Sequence, residues 1–114
     1  MRVEFTLDCS DLDQMAEFWC AAAGFVMDGS IERRYVSMSG HGVTLTLQRV
    51  AEPKTVKNRM HLDLLVDDLE GEVRRLESMG ASRVTGIACQ EFGQTWFVLA
   101  DPEGNEFCVA SERP

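Results

Sequence analysis

Two stretches decide the reading of this chain: Glu4-Phe-Thr-Leu-Asp-Cys-Ser-Asp-Leu-Asp13 and His61-Leu-Asp-Leu-Leu-Val-Asp-Asp-Leu-Glu70. They align without a gap at an offset of 57 residues (position 4 to position 61), half of the 114-residue length. Leu7/Leu64, Asp11/Asp68 and Leu12/Leu69 are identical, and Asp13/Glu70 is conservative. Each copy passes from a short alternating strand into an acidic helix start, then into a helix that ends near a glycine. The identity is weak and the pattern is strong. Self-similarity on this scale reads as two copies of one strand–helix-led module.

Working outward from the first copy, Arg2–Asp8 alternates: Val3, Phe5 and Leu7 share one face, and Glu4, Thr6 and Asp8 share the other. Ser10 or Asp11 is placed to cap the following helix, with Asp11 and Asp13 against its positive end. Met15, Phe18, Trp19 and Ala22 recur at helical spacing, and Gly24 supplies the stop. Strands are expected near Phe25–Asp28, Arg33–Ser39 and Val43–Val50, the last two joined by the tight turn Gly40-His41-Gly42. His41 reads as a solvated turn residue.

The stretch 51–59, with Pro53 and its charges, breaks the pattern and is expected to connect the two modules. The second module repeats the order. Its strand is expected at Met60–Val66, its helix at Asp68–Met79 closed by Gly80, and further strands near Arg83–Ala88, Thr95–Ala100 and Glu106–Ala110. Asp101-Pro-Glu-Gly-Asn105 is turn chemistry between the last two. The expected architecture is therefore α+β, a βαβββ module written twice. It occupies 1–114 as a single domain, with module one about 1–50, the connector 51–59 and module two about 60–114.

Composition narrows the function. Eleven Lys and Arg against nineteen Asp and Glu give a net charge of −8, which disfavours a nucleic-acid surface built from clustered basic residues. No apolar run approaches the ~20 residues that a membrane helix requires. No basic start leads into an apolar segment, so a cytoplasmic protein is expected. The four cysteines, at 9, 20, 89 and 108, show neither a CxxC pair nor a dense framework, and reduced thiols are expected.

Strand parity sorts the sheet faces. Val3/Phe5/Leu7, Val43/Leu45/Leu47, Leu62/Leu64/Val66, Phe97/Leu99 and Phe107/Val109 form an apolar set, expected to pack under the two helices. The opposite set contains Glu4, Thr6, Asp8, Thr44, Thr46, Gln48, His61, Asp63, Leu65, Trp96, Val98, Ala100, Glu106, Cys108 and Ala110. Acids, an imidazole, a thiol and a large aromatic on one face fit a ligand cleft better than a solvated surface.

Three segments carry a resemblance to a known family: Asp11-Leu-Asp-Gln-Met-Ala-Glu-Phe-Trp19, Met60-His-Leu-Asp-Leu-Leu-Val-Asp-Asp-Leu69 and Trp96-Phe-Val-Leu-Ala-Asp-Pro-Glu-Gly-Asn-Glu-Phe-Cys108. In this order they resemble the vicinal oxygen chelate superfamily, which groups the glyoxalases, bleomycin resistance proteins and extradiol dioxygenases. The stretch from Pro53 to Asp63 resembles its glyoxalase-like branch. The resemblance implies paired βαβββ modules whose curled mixed β-sheets form a cleft, and a homodimer in members of this length. It implies strand-borne metal ligands at Glu4, Thr46, His61 and Cys108. Of these, His61 matches the family pattern; Glu4 stands where histidine or glutamine is usual, and Cys108 where a glutamate is usual. Thr46 also replaces a glutamate, with Gln48 one strand step further on.

Two functions follow as expectations. The first is a binding protein that sequesters or carries a small molecule in a largely metal-free cleft. Its contacts would be Thr46, Gln48, Arg59, Asp63, Trp96 and Cys108, with Trp96 stacking on a planar group and Arg59 meeting an anionic one. The second is a small lyase or isomerase acting on an oxygenated substrate. It would use His61 with Glu4 or Glu106 in acid–base chemistry, or a divalent metal at Glu4, His61 and Cys108, zinc being the most compatible with a thiolate. His61 and Cys108 also have the make-up of a nucleophilic Cys–His pair.

Overall fold

In the computed structural model, which describes residues 1–112, the chain divides into two compact units, Met1–Thr55 and the residues from Val56 onward. The first unit runs β1 (Phe5–Cys9), α1 (Leu12–Ala23), β2 (Val26–Ile31), β3 (Tyr35–Gly40), β4 (Val43–Arg49). Its sheet has the order β1-β4-β3-β2, with β1 parallel to β4 and the other pairs antiparallel. Register places Phe5, Leu45 and Met38 side by side, and likewise Leu7, Leu47 and Val36. That apolar face packs against α1, whose Leu12, Met15, Ala16, Phe18, Trp19 and Ala22 are buried. The intervening rows, Thr6/Thr46/Ser37 and Asp8/Gln48/Tyr35, form the polar face.

Local chemistry explains the ends of α1. The Asp11 carboxylate accepts from Gln14 N–H at 3.0 Å, and Gly24 adopts the left-handed conformation (φ 69°) that closes the helix. The turn between β3 and β4 has positive φ at both His41 (54°) and Gly42 (77°), the type I′ geometry of a two-residue hairpin. His41 does more than meet water. Its Nε2 lies 2.8 Å from the Ala23 carbonyl oxygen, so the ring satisfies a carbonyl left open at the end of α1. One difference from the sequence pattern is Val3: β1 starts only at Phe5, and Val3 is exposed outside the apolar row.

The second unit runs β5 (Asp63–Val66), α2 (Leu69–Ser78), β6 (Ser82–Arg83), β7 (Cys89–Glu91), β8 (Gln94–Ala100), β9 (Glu106–Ser111). Its path is β5-β9-β8-β6, with β7 also on β8. As in the first unit, the opening strand lies parallel to the closing one, and the closing strand is antiparallel to its predecessor. The repeat seen in the sequence is thus a repeat of topology, an α+β arrangement of two helices and two mixed sheets.

The strand expected at Arg83–Ala88 is interrupted. β6 and β7 both pair with β8, but between Arg83↔Leu99 and Cys89↔Trp96 six steps along one strand oppose three along the other. At the break, the Thr85 hydroxyl accepts from Val98 N–H at 3.3 Å in place of a ladder carbonyl. The Asp101–Asn105 turn is built around a buried carboxylate. Asp101 Oδ1 accepts from Glu103 N–H and Asn105 N–H, both at 2.9 Å, and Oδ2 accepts from Asn105 Nδ2 at 3.0 Å. Asn58 is tied to the same turn: its Nδ2 donates to Asn105 Oδ1 at 3.3 Å, and its Oδ1 accepts from Glu106 N–H at 2.9 Å. These bonds fix the chain entering β5 against the start of β9.

α2 begins at Asp68, whose carboxylate accepts from Gly71 N–H at 3.0 Å, and it is capped at Met79, one residue before the expected Gly80. It buries Val73 and Leu76. A Cβ on Gly71 would collide with the Asp68 carboxylate. Gly71→Ala, worth about 1 kcal/mol of helix propensity elsewhere, is therefore expected to bring no gain in stability here, because the cap must break. In an Asp68→Ala background the same change is expected to stabilise by about 1 kcal/mol. Urea unfolding of the two single variants and the double variant checks this, and additive effects would refute the clash.

Candidate functional site

The polar face of the second sheet carries the densest chemistry. Parallel pairing of β5 with β9 sets Asp63 opposite Cys108, and β8 adds Val98 to the same row. One row along stand Leu65, Ala110, Trp96 and Cys89. His61, two residues before Asp63, is held beside it by Cys108 N–H donating to the Leu62 carbonyl at 2.9 Å. A recess of about 660 Å³ opens over this face, lined by His61, Asp63, Glu91, Phe92, Gln94, Trp96, Val98, Cys108 and Ala110.

Asp63 is its polar hub. His61 Nδ1 lies 2.9 Å from Asp63 Oδ1, and an ionised carboxylate can only accept, so the imidazole proton sits on Nδ1. In the neutral ring Nε2 then keeps a lone pair. The Cys108 thiol also hydrogen-bonds Asp63. Burial, and after it the negative charge of Asp63, push the Cys108 thiol up to about 11. That is the wrong direction for a nucleophilic cysteine, which needs a lowered value. His61 faces the carboxylate rather than serving the sulfur as a base, so the Cys–His pair suggested by the sequence takes a different form.

The remaining expected site residues are distributed as follows. Arg59 is exposed in the segment before β5 and is not among the residues lining the recess. Glu106 shares the face of Cys108 but accepts an ion pair from Lys57 Nζ at 2.6 Å. Glu4, Thr46 and Gln48 belong to the first unit. Glu4 precedes β1 and pairs with Arg2 at 2.7 Å. Thr46 Oγ1 lies 2.8 Å from Ser37 Oγ, and Gln48 Nε2 donates to the Tyr35 hydroxyl at 3.4 Å. The first unit has its own recess, about 800 Å³, lined by Ser10, Asp11, Asp13, Glu32, Arg33 and Arg49 among others. It contains no residue of the expected site and mixes charges of both signs.

Glu91, Phe92 and Gln94 were not anticipated. They lie on the β7–β8 hairpin, where the sequence pattern placed no strand before Thr95. The Phe92-Gly93 pair between two polar residues was the available signal, a weak one, because Gly alone marks many turns.

A divalent metal is the group the fold family implies. One nitrogen of His61, one carboxylate oxygen of Asp63 and the Cys108 sulfur lie within 4.8 Å of one another. Nitrogen, oxygen and sulfur donors fit a zinc-class ion, and three protein ligands leave a position open for water or substrate. The set differs from the expected one by placing Asp63 beside His61 and Cys108. An ion here displaces the thiol proton, so its affinity falls as pH falls.

The chain matches the model of the glyoxalase-like domain family over residues 4–110 and belongs to that family. Among solved structures it is similar to a glyoxalase/bleomycin resistance protein/dioxygenase family enzyme from Burkholderia phytofirmans (17% identity, 95% of each chain covered, TM-score 0.77). It is similar also to a lactoylglutathione lyase from Agrobacterium tumefaciens (18% identity, 97% of this chain and 92% of that one, TM-score 0.72). A third is a fosfomycin resistance protein from Mesorhizobium loti (11% identity, 98% and 92%, TM-score 0.77). At these identities the likeness is one of fold. No curated protein matches the chain. Among the described residues, no helix is long and apolar enough to cross a membrane.

In the metal-free protein the Cys108 thiol is expected to resist iodoacetamide at neutral pH, its alkylation rate climbing only toward pH 11. Asp63→Asn should lower that midpoint by removing the adjacent charge. The sign for stability follows from the raised value. The contribution is intact below the unfolded thiol's 9.0 and is lost as pH rises through about 11. Rapid alkylation of Cys108 at pH 7, mapped by peptide mass spectrometry, would contradict the assignment.

Proposed function

We propose that this glyoxalase-like protein binds a small organic molecule in the recess of the second unit, sequestering or carrying it. The carrying observation is the pairing of a large aromatic, Trp96, with one preorganised polar anchor, Asp63, inside the same recess. The anchor's carboxylate is already engaged by His61 and Cys108, which suits fixed recognition better than proton abstraction. Trp96 supplies stacking area. His61, through Nε2, and Gln94 offer further hydrogen bonds. Arg59, in the segment just before β5, remains a candidate for ligand contact. A single domain formed by the two units, working as a cytoplasmic homodimer, belongs to the same reading.

The compactness of the His61, Asp63 and Cys108 donors favours a second reading, a metal-assisted lyase or isomerase. There the three residues would hold a zinc-class ion, which supplies Lewis acidity to an oxygenated substrate. Glu106, on the face of Cys108, would move a proton. For Glu106 this requires release from Lys57.

Metal content by mass spectrometry, together with a thermal-shift screen of planar and oxygenated small molecules, separates the two. Under the binding reading, the protein purified without chelator carries no stoichiometric metal. Trp96→Ala then weakens an identified ligand about tenfold, the scale of a lost aromatic stack with its buried area, and weakens it more than His61→Ala does. A stoichiometric ion that is lost in His61→Ala would show a working metal site and turn the assays to metal-assisted lyase and isomerase chemistry instead. Equal, negligible effects of both substitutions on binding would remove the recess from either.

A further inference from the structure

Phe92 is out of place as a structural residue. It occupies the first central position of the β7–β8 turn with φ 51°, followed by Gly93 at 78°, the type I′ arrangement that favours glycine or asparagine. A bulky side chain in the left-handed region is an outlier and carries a conformational cost. The ring is 92% exposed, so packing returns nothing to offset it. Strain without a structural return marks a functional position when it borders a site, and Phe92 lines the same recess as Trp96. Both aromatics ride on one hairpin, Trp96 within the sheet and Phe92 at the tip.

The charges of that recess have a single sign. Asp63 and Glu91 are its acids, and among the described residues that line it none is Lys or Arg. The only basic side chain there is His61, already committed to Asp63. Aromatic faces carry negative quadrupole potential and, beside carboxylates, attract cations over anions. We propose that Phe92 is a specificity-determining residue that covers a bound ligand over Trp96, and that the ligand is a flat organic cation. This rests on the binding reading above and narrows it. The anionic group expected opposite Arg59 is replaced by a positively charged one opposite Asp63 and Glu91.

Two probes of equal ring size and opposite charge test this by titration calorimetry: 9-aminoacridine, a flat cation at neutral pH, and 9-anthracenecarboxylate, a flat anion. The wild-type protein is expected to bind the cation at least about tenfold more tightly. Phe92→Gly relieves the turn, so its melting temperature should hold or rise while its affinity for 9-aminoacridine falls about tenfold. Glu91→Gln should shrink the cation-to-anion ratio. If 9-aminoacridine binds but Phe92→Gly binds it equally well while Trp96→Ala does not, the recess is a site and Phe92 has no part in it. Preference for the anion overturns the ligand class. Binding of neither probe to the wild-type protein overturns the flat-cation proposal, while the sequestration reading stands or falls by the small-molecule screen above.

Discussion

The parallel pairing of each unit's first strand with its last is the constraint on which the rest depends. In the second unit it sets Asp63 against Cys108, in the first Phe5 against Leu45, contacts that close long loops at an entropic cost. Side chains alternate along a strand, so a slip of one residue in β5 against β9 would turn His61 and Asp63 toward α2 and bring Leu64 into the recess. Register is held from both sides. Val109 and Phe107 are buried on β9, against which α2 packs with its own buried Val73 and Leu76, and Asn58 fastens the approach to β5 onto the Asp101–Asn105 turn. The helix-side core and the buried Asp101 carboxylate thus fix which residues meet on the opposite face.

On that face one carboxylate organises its neighbours. Asp63 fixes the His61 tautomer and, with burial, keeps Cys108 protonated. The same three groups carry nitrogen, oxygen and sulfur donors close enough to share an ion. The proposed hydrogen-bonded anchor and the proposed three-ligand metal site would thus be alternative uses of one cluster, separated by loss of the thiol proton. The acidic side chains near the recess act with the aromatic ones rather than against them, because both present negative potential to an incoming group.

Much of the fold was legible because it follows from short-range rules. The alternation of Phe5 and Leu7, the Asp11 cap, the acidic helix start at Asp68, the Gly24 stop and the His41-Gly42 turn each depend on a few adjacent residues. Parity placed His61, Asp63, Trp96 and Cys108 on one face; the sheet puts the rows of Asp63, Trp96 and Cys108 there, and His61, just before β5, lines the same recess. The β6–β7 interruption was not legible, since it depends on a hydroxyl of Thr85 meeting the backbone of Val98, thirteen residues away. Nor was the role of His41, whose partner carbonyl belongs to a helix that ends eighteen residues earlier.

The sequence by itself determined the repeated module, the two helices, the strand faces and the family, because periodicity, caps and turn residues act within a few positions of themselves. Tertiary structure alone decided that Asp63 stands between His61 and Cys108, that Lys57 occupies Glu106, and that the Phe92 turn borders the recess of Trp96. These facts follow from strand register and from the three extra residues between β6 and β7 opposite β8. A linear pattern constrains such pairings only through the core they must bury, so it could name the chemical groups on the face without fixing which of them touch.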